Sequence, residues 1–325
     1  MSIRVGTFNL NNLFSRFNFR AEINTSPTES TGGLQLTFGT DEIDVRTFFG
    51  RLVKAKDDAD TALIAERIRD VVDADVLAVQ EVEHIEILKS FNATHLGGLY
   101  PHVVLIEGND RRLIDVGLLS KLPIGAITSH QAARHRDDPF QPVFGRDLLE
   151  VEILSDDGGL LCKIYNTHMK SHFVPFDQPQ EEGRQKADAR RRRQAEVTAA
   201  IVARRNELTT PFVLLGDMND PPESEFLSPM LKFAGRGLTN GLENAVETRP
   251  PKPETIGQGD GPQSPVWTHR YNPPGRDTPP EYHLYDQIWL SPALAPRLES
   301  AHIDRRMRHG GDGSDHDPAW VVLDL

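Results

Sequence analysis

The sequence is poor in cysteine and in long apolar runs. Cys162 is the only cysteine among 325 residues, so an intrachain disulfide is excluded, and its apolar surroundings in LLCKIYN favour a buried side chain. No run of about 18 apolar residues occurs, which argues against a membrane span. A strand-like segment follows Met1 without the charged and apolar regions of a signal peptide. We therefore expect a cytoplasmic protein.

Positive charge is also in deficit. The chain has 36 Lys plus Arg against 48 Asp plus Glu, a formal net charge of -12, so nonspecific attraction to nucleic acid should be weak without cations. A nucleic-acid enzyme is not excluded, because a bound divalent ion would neutralise several carboxylates. Aromatic residues are only 7% and dispersed, and no platform for stacking bases is evident. The remaining composition, with 38% hydrophobic residues, is that of a globular protein.

The arrangement of motifs favours a single domain. Length alone permits one large domain or two average ones, but the conspicuous motifs run from Asn9 to His316 without a Ser/Gly-rich linker. We therefore expect one domain over residues 1–325. Two irregular stretches interrupt it: an inserted polar loop or lid at about 18–60 and a Pro/Gly-rich surface excursion at about 248–281. Both precede strands that carry motifs and could border a site.

Short apolar runs flanked by polar or turn residues predict a fold rich in strands, with about three strands for each helix. The clearest runs are IRVGTF, DVLAVQ, HVVLIE, DVGLLS, LLEVEIL, LLCKIYN, FVLLGD, LYDQIWL and WVVLDL. Helical periodicity is clear in residues 61–73, behind Asp60 as the predicted cap, and in residues 184–206. In the second segment the predicted buried face consists of Ala187, Arg191, Ala195, Thr198 and Val202.

Polar residues stand where these apolar runs end. Asn9 follows VGTF, Glu81 follows LAVQ, His168 follows IYNT and Asp217 follows VLLG. A lone acidic residue at such a position is usually a turn former or a cap, but that explanation leaves the repeated pattern unexplained. Asn219 lies two residues after Asp217, which puts both side chains on one face of an extended segment. Strand ends that point in one direction would build a shared pocket from these groups.

The oxygen-bearing side chains suit a hard divalent cation. Carboxylate and amide oxygens of Asn9, Glu81, Asp217, Asn219 and Asp315 are ligands that Mg²⁺ or Mn²⁺ prefers.

Two other metals fit less well. His168 and His172 have the i,i+4 spacing of a helical zinc pair, yet YNTH predicts a strand end and the glutamate of HExxH is missing. The cluster of Asp312, Asp315 and Asp317 lacks the glycine and the distal glutamate of a calcium-binding EF-hand loop.

Six blocks occur in a fixed order: TFNLNNLF, LAVQEVE, YNTHMKS, LLGDMND, YDQIWLS and SDHDP. In this order they resemble the blocks of the endonuclease/exonuclease/phosphatase superfamily, and the resemblance covers almost the whole chain. It implies an α+β fold, a four-layered αββα sandwich of two packed mixed β-sheets flanked by helices. It also implies that the site lies at one end of the sheets.

The resemblance assigns roles to the strand-end residues. It implies that Asn9, Glu81 and Asp315 hold the metal, and that Asp217 and Asn219 position the attacking water and the phosphoryl oxygens. A Mg²⁺ or Mn²⁺ ion in such a site neutralises charge on the phosphoryl oxygens, so that no covalent nucleophile is needed.

Further residues are implied to act on the phosphate. His316 matches the central histidine of the superfamily, Asp286 in YDQI matches the aspartate that orients it, and His168 matches a position that contacts phosphate. Arg146 in FGRDLLEVEI resembles an arginine that balances charge. Lys170, in MKSH, belongs to a block found in bacterial deoxyribonuclease-like members and is expected to bind phosphate or substrate.

The implied activity is metal-dependent hydrolysis of a phosphodiester by in-line attack of water, with a nuclease acting on DNA or RNA as the favoured case. The run Arg190 to Arg193 fits either a solvated helix face or a patch that contacts phosphates. One alternative is a phosphomonoesterase or a phospholipase C-type enzyme acting on inositol phosphate or sphingomyelin head groups. The other is a non-catalytic binding domain. No membrane contact and no obligate protein partner are implied.

Overall fold

A computed structural model of the chain describes residues 1–14, 47–48, 51–52, 56–174, 179–248, 266–271, 280–305 and 313–325. Strands are the main elements, in keeping with the short apolar runs. In chain order they are β1 (Ser2–Leu13), β2 (Thr47–Phe48), β3 (Arg51–Leu52), β4 (Val76–Val82), β5 (His102–Leu105), β6 (Asp115–Ser120), β7 (Ile124–Ser129), β8 (Arg134–His135), β9 (Asp138–Pro142), β10 (Leu148–Leu154), β11 (Leu160–His168), β12 (Phe212–Asp217), β13 (Lys232–Phe233), β14 (Arg236–Gly237), β15 (Thr239–Asn240), β16 (Val246–Glu247), β17 (His269–Tyr271), β18 (Glu281–His283), β19 (Asp286–Leu290), β20 (Leu298–Ile303) and β21 (Ala319–Asp324).

The helices are fewer. They are α1 (Asp58–Glu66), which continues as a π-helix over Arg67–Val72, α2 (Ile85–Thr94), α3 (Gln180–Arg205) and a short 3-10 helix over Ala295–Arg297. None of these helices has the length and apolar character that crossing a membrane requires, within the part of the chain that the structure describes.

Thirteen of the strands form two mixed sheets. The first has seven strands in the order β16-β20-β21-β1-β4-β6-β5, and the second has six in the order β15-β19-β12-β11-β10-β7. Most neighbours are antiparallel, but β1 and β4 are parallel in the first sheet, as are β11 and β12 in the second. The first and last strands, β1 and β21, are direct neighbours near the centre of the first sheet.

The two sheets pack face to face. Successive side chains of a strand point to opposite sides, so every second residue of a strand faces the other sheet. On β4, Val76 and Ala78 face the second sheet, and on β12, Val213 and Leu215 face the first. All four side chains are fully buried, and burying a valine or leucine side chain contributes about 1.5–3 kcal/mol. The core between the sheets is therefore built by every second residue of each strand.

The alternate residues bury the helices against the outer faces. Leu77 on β4 packs in one cluster with Ile64 of α1 and Leu88 of α2, and Phe212 on β12 packs with Ala195 of α3. The layer order is helix, sheet, sheet, helix. The predicted four-layered α+β sandwich is confirmed.

The helix ends differ in detail from the prediction. Helix α1 begins at Asp58, and Asp57, not the predicted Asp60, caps it: its carboxylate accepts a hydrogen bond from Ala59 N at 2.9 Å. Asp57 can do so because its backbone is extended, at φ -63 and ψ 142, just before the helix. Helix α2, capped by His84, was not predicted from the sequence.

Helix α3 agrees with the prediction more closely. It spans Gln180–Arg205, four residues longer at its N-terminus than expected, and every residue of its predicted buried face is buried. Cys162 on β11 is buried as predicted and is a free thiol.

The two predicted irregular stretches lie largely outside the described residues. Within the predicted loop at about 18–60, β2 pairs with β3 and Asp57 leads into α1. Within the predicted excursion at about 248–281, the segment 266–271 runs from buried residues to the exposed Tyr271. Trp267 and Thr268 are buried there, and β17 pairs with β18. Their burial against the sheets brings Thr268 to the strand ends described next.

Candidate active site at the strand ends

Strand register brings the polar residues of the second sheet together. His168 is the last residue of β11 and pairs with Asp217, the last residue of β12, because these strands are parallel and in register. Asp286 is the first residue of the antiparallel β19 and pairs with Asp217 from the other side. Asn9 lies inside β1 and not at the predicted strand end, at the point where regular pairing with β4 stops. It completes the group, since its Nδ2 donates to Asp217 Oδ2 at 2.9 Å. Side chains from both sheets therefore converge on Asp217.

Glu81 occupies an irregular position in β4. Pairing between β4 and β6 shifts register between Gln80 and Val82, as in a β-bulge, and Glu81 has a left-handed φ of 60°. For a residue with a Cβ this conformation costs about 1–3 kcal/mol, and such strain clusters at functional sites. Its Oε2 accepts from Asn12 N at 3.1 Å, and its Oε1 lies 4.0 Å from His168 Nε2. The bulge thus aims the carboxylate at the cluster.

His316 and Asp286 form a buried pair. The distance from His316 Nδ1 to Asp286 Oδ2 is 2.6 Å, and Asp286 is 0% exposed. Burial opposes the charged imidazolium, but the carboxylates of Asp286 and Asp217 outweigh it and raise the pKa of His316 well above its usual range. The other ring nitrogen, Nε2, lies 3.9 Å from Asp217 Oδ2. A carboxylate therefore fixes both the orientation and the protonation of this histidine.

Asp217 is buried and heavily hydrogen bonded. Besides Asn9, the backbone N–H of Asn219 donates to its Oδ1 at 2.9 Å, and the Asn219 side chain donates to Met169 O at 3.2 Å. Burial raises the pKa of Asp217 above its usual range, although His316 and Asn9 act in the opposite direction. The residue before Asp217 is Gly216, and no side chain fits there, because a Cβ would lie 2.0 Å from Thr167 O.

His168 differs electrostatically from His316. Burial and the positive charge of Arg146 and Arg112 lower the pKa of His168 well below its usual range, so its imidazole is neutral near pH 7. Its Nε2 lies 3.3 Å from Asp217 Oδ2. The site thus holds one neutral and one protonated histidine on the same carboxylate.

The structure places Asp315 with two imidazoles. The ligand atoms of His269, Asp315 and His316 all lie within 4.8 Å of one another, which forms a candidate metal-binding group. His269 was not predicted from the sequence, because it falls within the predicted Pro/Gly-rich excursion. Glu81 and Asp315 also influence one common cation, Lys56, whose pKa is lowered by burial and partly restored by Asp60, Asp315 and Glu81.

The partly exposed carboxylates of the cluster are the ones suited to a hard cation. The side chains of Glu81 and Asp315 are 17% and 37% exposed, whereas that of Asp217 is 2% exposed and already accepts hydrogen bonds from Asn9 and Asn219. Accessible carboxylate oxygens suit a hard divalent cation, which prefers oxygen ligands. The candidate site therefore offers accessible donor atoms for a metal ion.

Two hydroxyl groups that hold the site were not predicted. Ser314 Oγ donates to Asn9 O at 2.7 Å and accepts from His316 N at 3.1 Å, which ties the two ends of the chain together. Thr268 Oγ1 accepts from Asp286 N at 3.0 Å. Ser314 belongs to the SDHDP block and could have been found there, but nothing in the sequence marks Thr268.

Arg146 and Lys170 lie beside this cluster, not within it. Arg146 Nη1 donates to Met169 O at 3.1 Å, and its Nε is 3.1 Å from Asp110 Oδ2. Lys170 Nζ donates to Ser171 O at 2.6 Å and to Phe173 O at 3.1 Å. Both side chains line a cavity next to the strand ends.

The arginine run on α3 does not form one surface. Arg191 is fully buried, and its Nε is 3.1 Å from Asp220 Oδ2. Arg192 is exposed, whereas Arg190 and Arg193 line the same cavity as Arg146. Helical geometry separates the four side chains, since successive residues of a helix point in different directions.

Comparison with solved structures shows the same fold in proteins of low sequence identity. An AP endonuclease from Archaeoglobus fulgidus is 16% identical, with 99% of this chain and 100% of that chain covered and a TM-score of 0.55. A mannosyl-6-phosphatase from Bacteroides thetaiotaomicron is 14% identical, with 99% and 100% covered and a TM-score of 0.56. TDP2 of D. rerio, complexed with a single-strand DNA product, is 12% identical, with 100% and 99% covered and a TM-score of 0.54.

A comparison with the curated proteins found no match. The profile of the Endonuclease/Exonuclease/phosphatase family matches residues 6–316, a span that begins just before Asn9 and ends on His316. It thus includes all the strand ends that build the site. The chain belongs to the endonuclease/exonuclease/phosphatase family.

Proposed function

We propose that the chain is a divalent-metal-dependent phosphodiesterase that hydrolyses its substrate by in-line attack of water, with DNA or RNA as the favoured substrate. One observation carries the proposal: the buried Asp286–His316 pair, Asp217 and Asn219 converge at strand ends beside the accessible carboxylates of Glu81 and Asp315. Members of this family are generally dependent on divalent metals.

Glu81, Asp315 and Asn9 would hold the cation. When bound, it would neutralise charge on the phosphoryl oxygens and make water a better nucleophile near neutral pH. The rest of the chemistry falls to the chain's own side chains.

Asp217 and Asn219 are placed to orient the attacking water. Asp217 has a raised pKa and is held rigidly by Asn9 and by the Asn219 backbone, which supports a role in accepting a proton near neutral pH. His316, kept protonated by Asp286, can donate from Nε2 to a phosphoryl oxygen where negative charge develops. His168, which is neutral, can donate a hydrogen bond to the same phosphoryl group.

The charge around the site supports a nucleic-acid substrate. The chain has a net charge of -12, yet six of the seventeen residues that line the cavity beside the cluster are arginine or lysine and only two are aspartate. The similar structures include an AP endonuclease and a protein complexed with a DNA product, which supports the same assignment. They also include a mannosyl-6-phosphatase, so phosphomonoester hydrolysis is the second candidate.

A substrate panel tests both candidates. Metal-free protein would be supplied with Mg²⁺, Mn²⁺ or EDTA and incubated with plasmid DNA, RNA, bis-p-nitrophenyl phosphate and p-nitrophenyl phosphate. We expect metal-dependent cleavage of a nucleic acid and of the diester, and little release from the monoester. Faster release from the monoester than from the diester would favour the phosphatase, and no metal-dependent hydrolysis of any substrate would refute the proposal.

Two variants exclude a contaminating nuclease. His316→Ala should lower kcat by about 100-fold or more, the usual loss for an acid-base group. His102→Ala is the matched control, because His102 lies far from the site. His102 begins β5 and pairs with Ser120, which in turn pairs with Val76 at the start of β4, whereas Glu81 lies at the other end of β4. Equal activity in the two variants would mean that the measured hydrolysis does not come from this site.

A further inference from the structure

A cavity of about 600 Å³ adjoins the strand-end cluster. Its walls are the turn before β6, His135 of β8, β9 with the residues up to Arg146, the segment from Lys170 to Phe173, and the middle of α3. Its volume lies within the range of pockets that bind small molecules. We call it the basic cavity, from the six cationic side chains that line it: Arg111, Arg112, Arg146, Lys170, Arg190 and Arg193.

The basic cavity carries uncompensated positive charge. Asp110 and Asp138 are the only carboxylates among its lining residues, against those six cations. Asp110 is engaged, because its carboxylate lies 3.1 Å from Arg146 Nε and 3.4 Å from Arg112 Nε. Asp110 thus holds two guanidinium groups at the wall without neutralising the rest.

Arg190 reaches the cavity from α3. A Cβ at Gly145 would lie 3.6 Å from Arg190 Nη2, so the guanidinium stands directly beside that backbone. Burial and repulsion from Arg146 and Arg112 lower the pKa of Lys170 to about 8. An anion inside the cavity would relieve this repulsion.

One backbone carbonyl connects the basic cavity to the catalytic cluster. Met169 O accepts hydrogen bonds both from Arg146 Nη1 on the cavity wall, at 3.1 Å, and from Asn219 Nδ2 in the cluster, at 3.2 Å. A ligand held in the cavity would therefore lie next to the phosphate under attack.

We infer that the basic cavity binds a second phosphate of the substrate, the neighbour along the nucleic-acid strand of the phosphate that is hydrolysed. This inference rests on the proposed function. Arginine suits the task, because its planar guanidinium pairs with phosphate through two hydrogen bonds. The cavity would fix the position of the strand, so that isolated phosphate esters bind less well than molecules with two phosphates at nucleotide spacing.

Thymidine 3′,5′-bisphosphate tests the inference, because it carries two phosphates at that spacing. Isothermal titration calorimetry in Mg²⁺ would compare it with thymidine 5′-monophosphate and thymidine 3′-monophosphate, with the ligands checked for hydrolysis afterwards. We expect the bisphosphate to bind about tenfold or more tightly than either monophosphate, the effect of one charge-assisted hydrogen-bonded pair.

The preference should depend on the cavity arginines. In the double variant Arg112→Gln/Arg190→Gln the ratio of the affinity for the bisphosphate to that for a monophosphate should fall towards one. A variant that binds every ligand more weakly would keep the same ratio, so the ratio reports on the second phosphate alone. The matched control is Arg192→Gln/Arg204→Gln, which removes the same charge from exposed positions of α3. Its ratio should equal that of the wild type.

Three outcomes would overturn the inference. They are a wild-type ratio near one, a ratio that the double variant retains, and tighter binding of inositol 1,4-bisphosphate than of the thymidine compound. Hydrolysis of bis-p-nitrophenyl phosphate separates this inference from the proposed function. A protein that hydrolyses the diester but shows no bisphosphate preference has the activity without the second phosphate site.

Discussion

The pairing of His316 with Asp286 predicts that the two side chains act as one unit. Asp286→Asn keeps the shape of the side chain and an oxygen that can face His316 Nδ1, at the 2.6 Å position, but it removes the charge. A hydrogen bond to a charged group contributes about 1.5–3 kcal/mol, so the single substitution should lower kcat by about 10- to 100-fold.

The double variant discriminates between joint and separate action. His316→Ala alone should cost about 100-fold or more. Independent losses would multiply to about 1,000-fold or more, whereas a joint loss leaves the double variant close to His316→Ala alone. A small residual effect of Asp286→Asn is expected even so, because Asp286 also raises the pKa of Asp217.

The assay is steady-state hydrolysis of bis-p-nitrophenyl phosphate at saturating Mg²⁺, with thermal melting to show that each variant is folded. Asp156→Asn, in the exposed turn between β10 and β11, controls for the chemistry of the substitution and should leave kcat unchanged. Fully multiplicative losses in the cycle would refute the joint role of His316 and Asp286.

Three further predictions concern the metal and the stability of the fold. Glu81→Gln should weaken Mg²⁺ or Mn²⁺ binding by about tenfold or more in calorimetric titration, because one ligand charge is lost. The exposed Glu86→Gln is the control and should leave the affinity unchanged. Unchanged affinity in a folded Glu81→Gln variant would mean that Glu81 is not a metal ligand. Burial raises the pKa of Asp115 to about 7. The contribution of its protonated carboxyl group to the free energy of unfolding is therefore fully present below the usual pKa of aspartate and is lost as the pH rises towards 7. Asp115→Asn should therefore increase the free energy of unfolding in urea at pH 8, by at most about 4 kcal/mol, and change it little at pH 4; an equal effect at both pH values would contradict this. Asp317→Asn should lower the free energy of unfolding by about 3 kcal/mol or more, because it breaks buried ion pairs. Asp324→Asn, at an exposed pair, should lower it much less, and similar losses for both variants would disprove the structural role of Asp317.

The buried pairs of Asp317 show what its position in SDHDP is for. Its two oxygens lie 2.6 Å from Arg67 Nη2 and 3.2 Å from Arg305 Nη1, and the Arg305 guanidinium stacks on Trp267. These two ion pairs hold the segment that carries Asp315 and His316 in place. The sequence shows the three aspartates of this region as equals, and only the fold distinguishes the buried anchor from the accessible carboxylate of Asp315.

Elements with strong periodic patterns were predictable, and those set by weak local signals were not. The buried face of α3 follows from residues three or four apart, and the strands follow from short apolar runs. Helix α2 has only ten residues, and His84 caps it in place of the usual Ser, Thr, Asp or Asn, so the sequence gives no clear start signal. The cap of α1 was misplaced because Asp57, Asp58 and Asp60 are equivalent by type.

For the candidate site, strand ends could be predicted but partners from distant segments could not. Asn9, His168 and Asp217 end apolar runs, and parallel or antiparallel register then brings them together. Thr268 and His269 reach the site from a stretch whose prolines and glycines suggest only a surface segment. Their positions depend on burial against both sheets, which no local pattern records.

The spacing of the arginines on α3 indicates their separate roles, although the run of four looks uniform in the sequence. Four consecutive cations suggest one patch, yet Arg191 is spaced four residues from both Ala187 and Ala195 and therefore belongs to the buried face of α3. Periodicity assigns Arg191 to a structural role and leaves Arg190 and Arg193 for the basic cavity.

The pairing of the first strand with the last has a consequence for synthesis on the ribosome. β1 is flanked by β4 and β21, so a nascent chain that has released β4 still lacks one of the two neighbours of β1 until β21 emerges. During that interval the apolar strand has an open edge on which other chains can pair. His316 also joins Asn9 only when β21 docks, because Thr7 pairs with Ala319. The candidate site is therefore incomplete in the growing chain until β21 has emerged and docked beside β1.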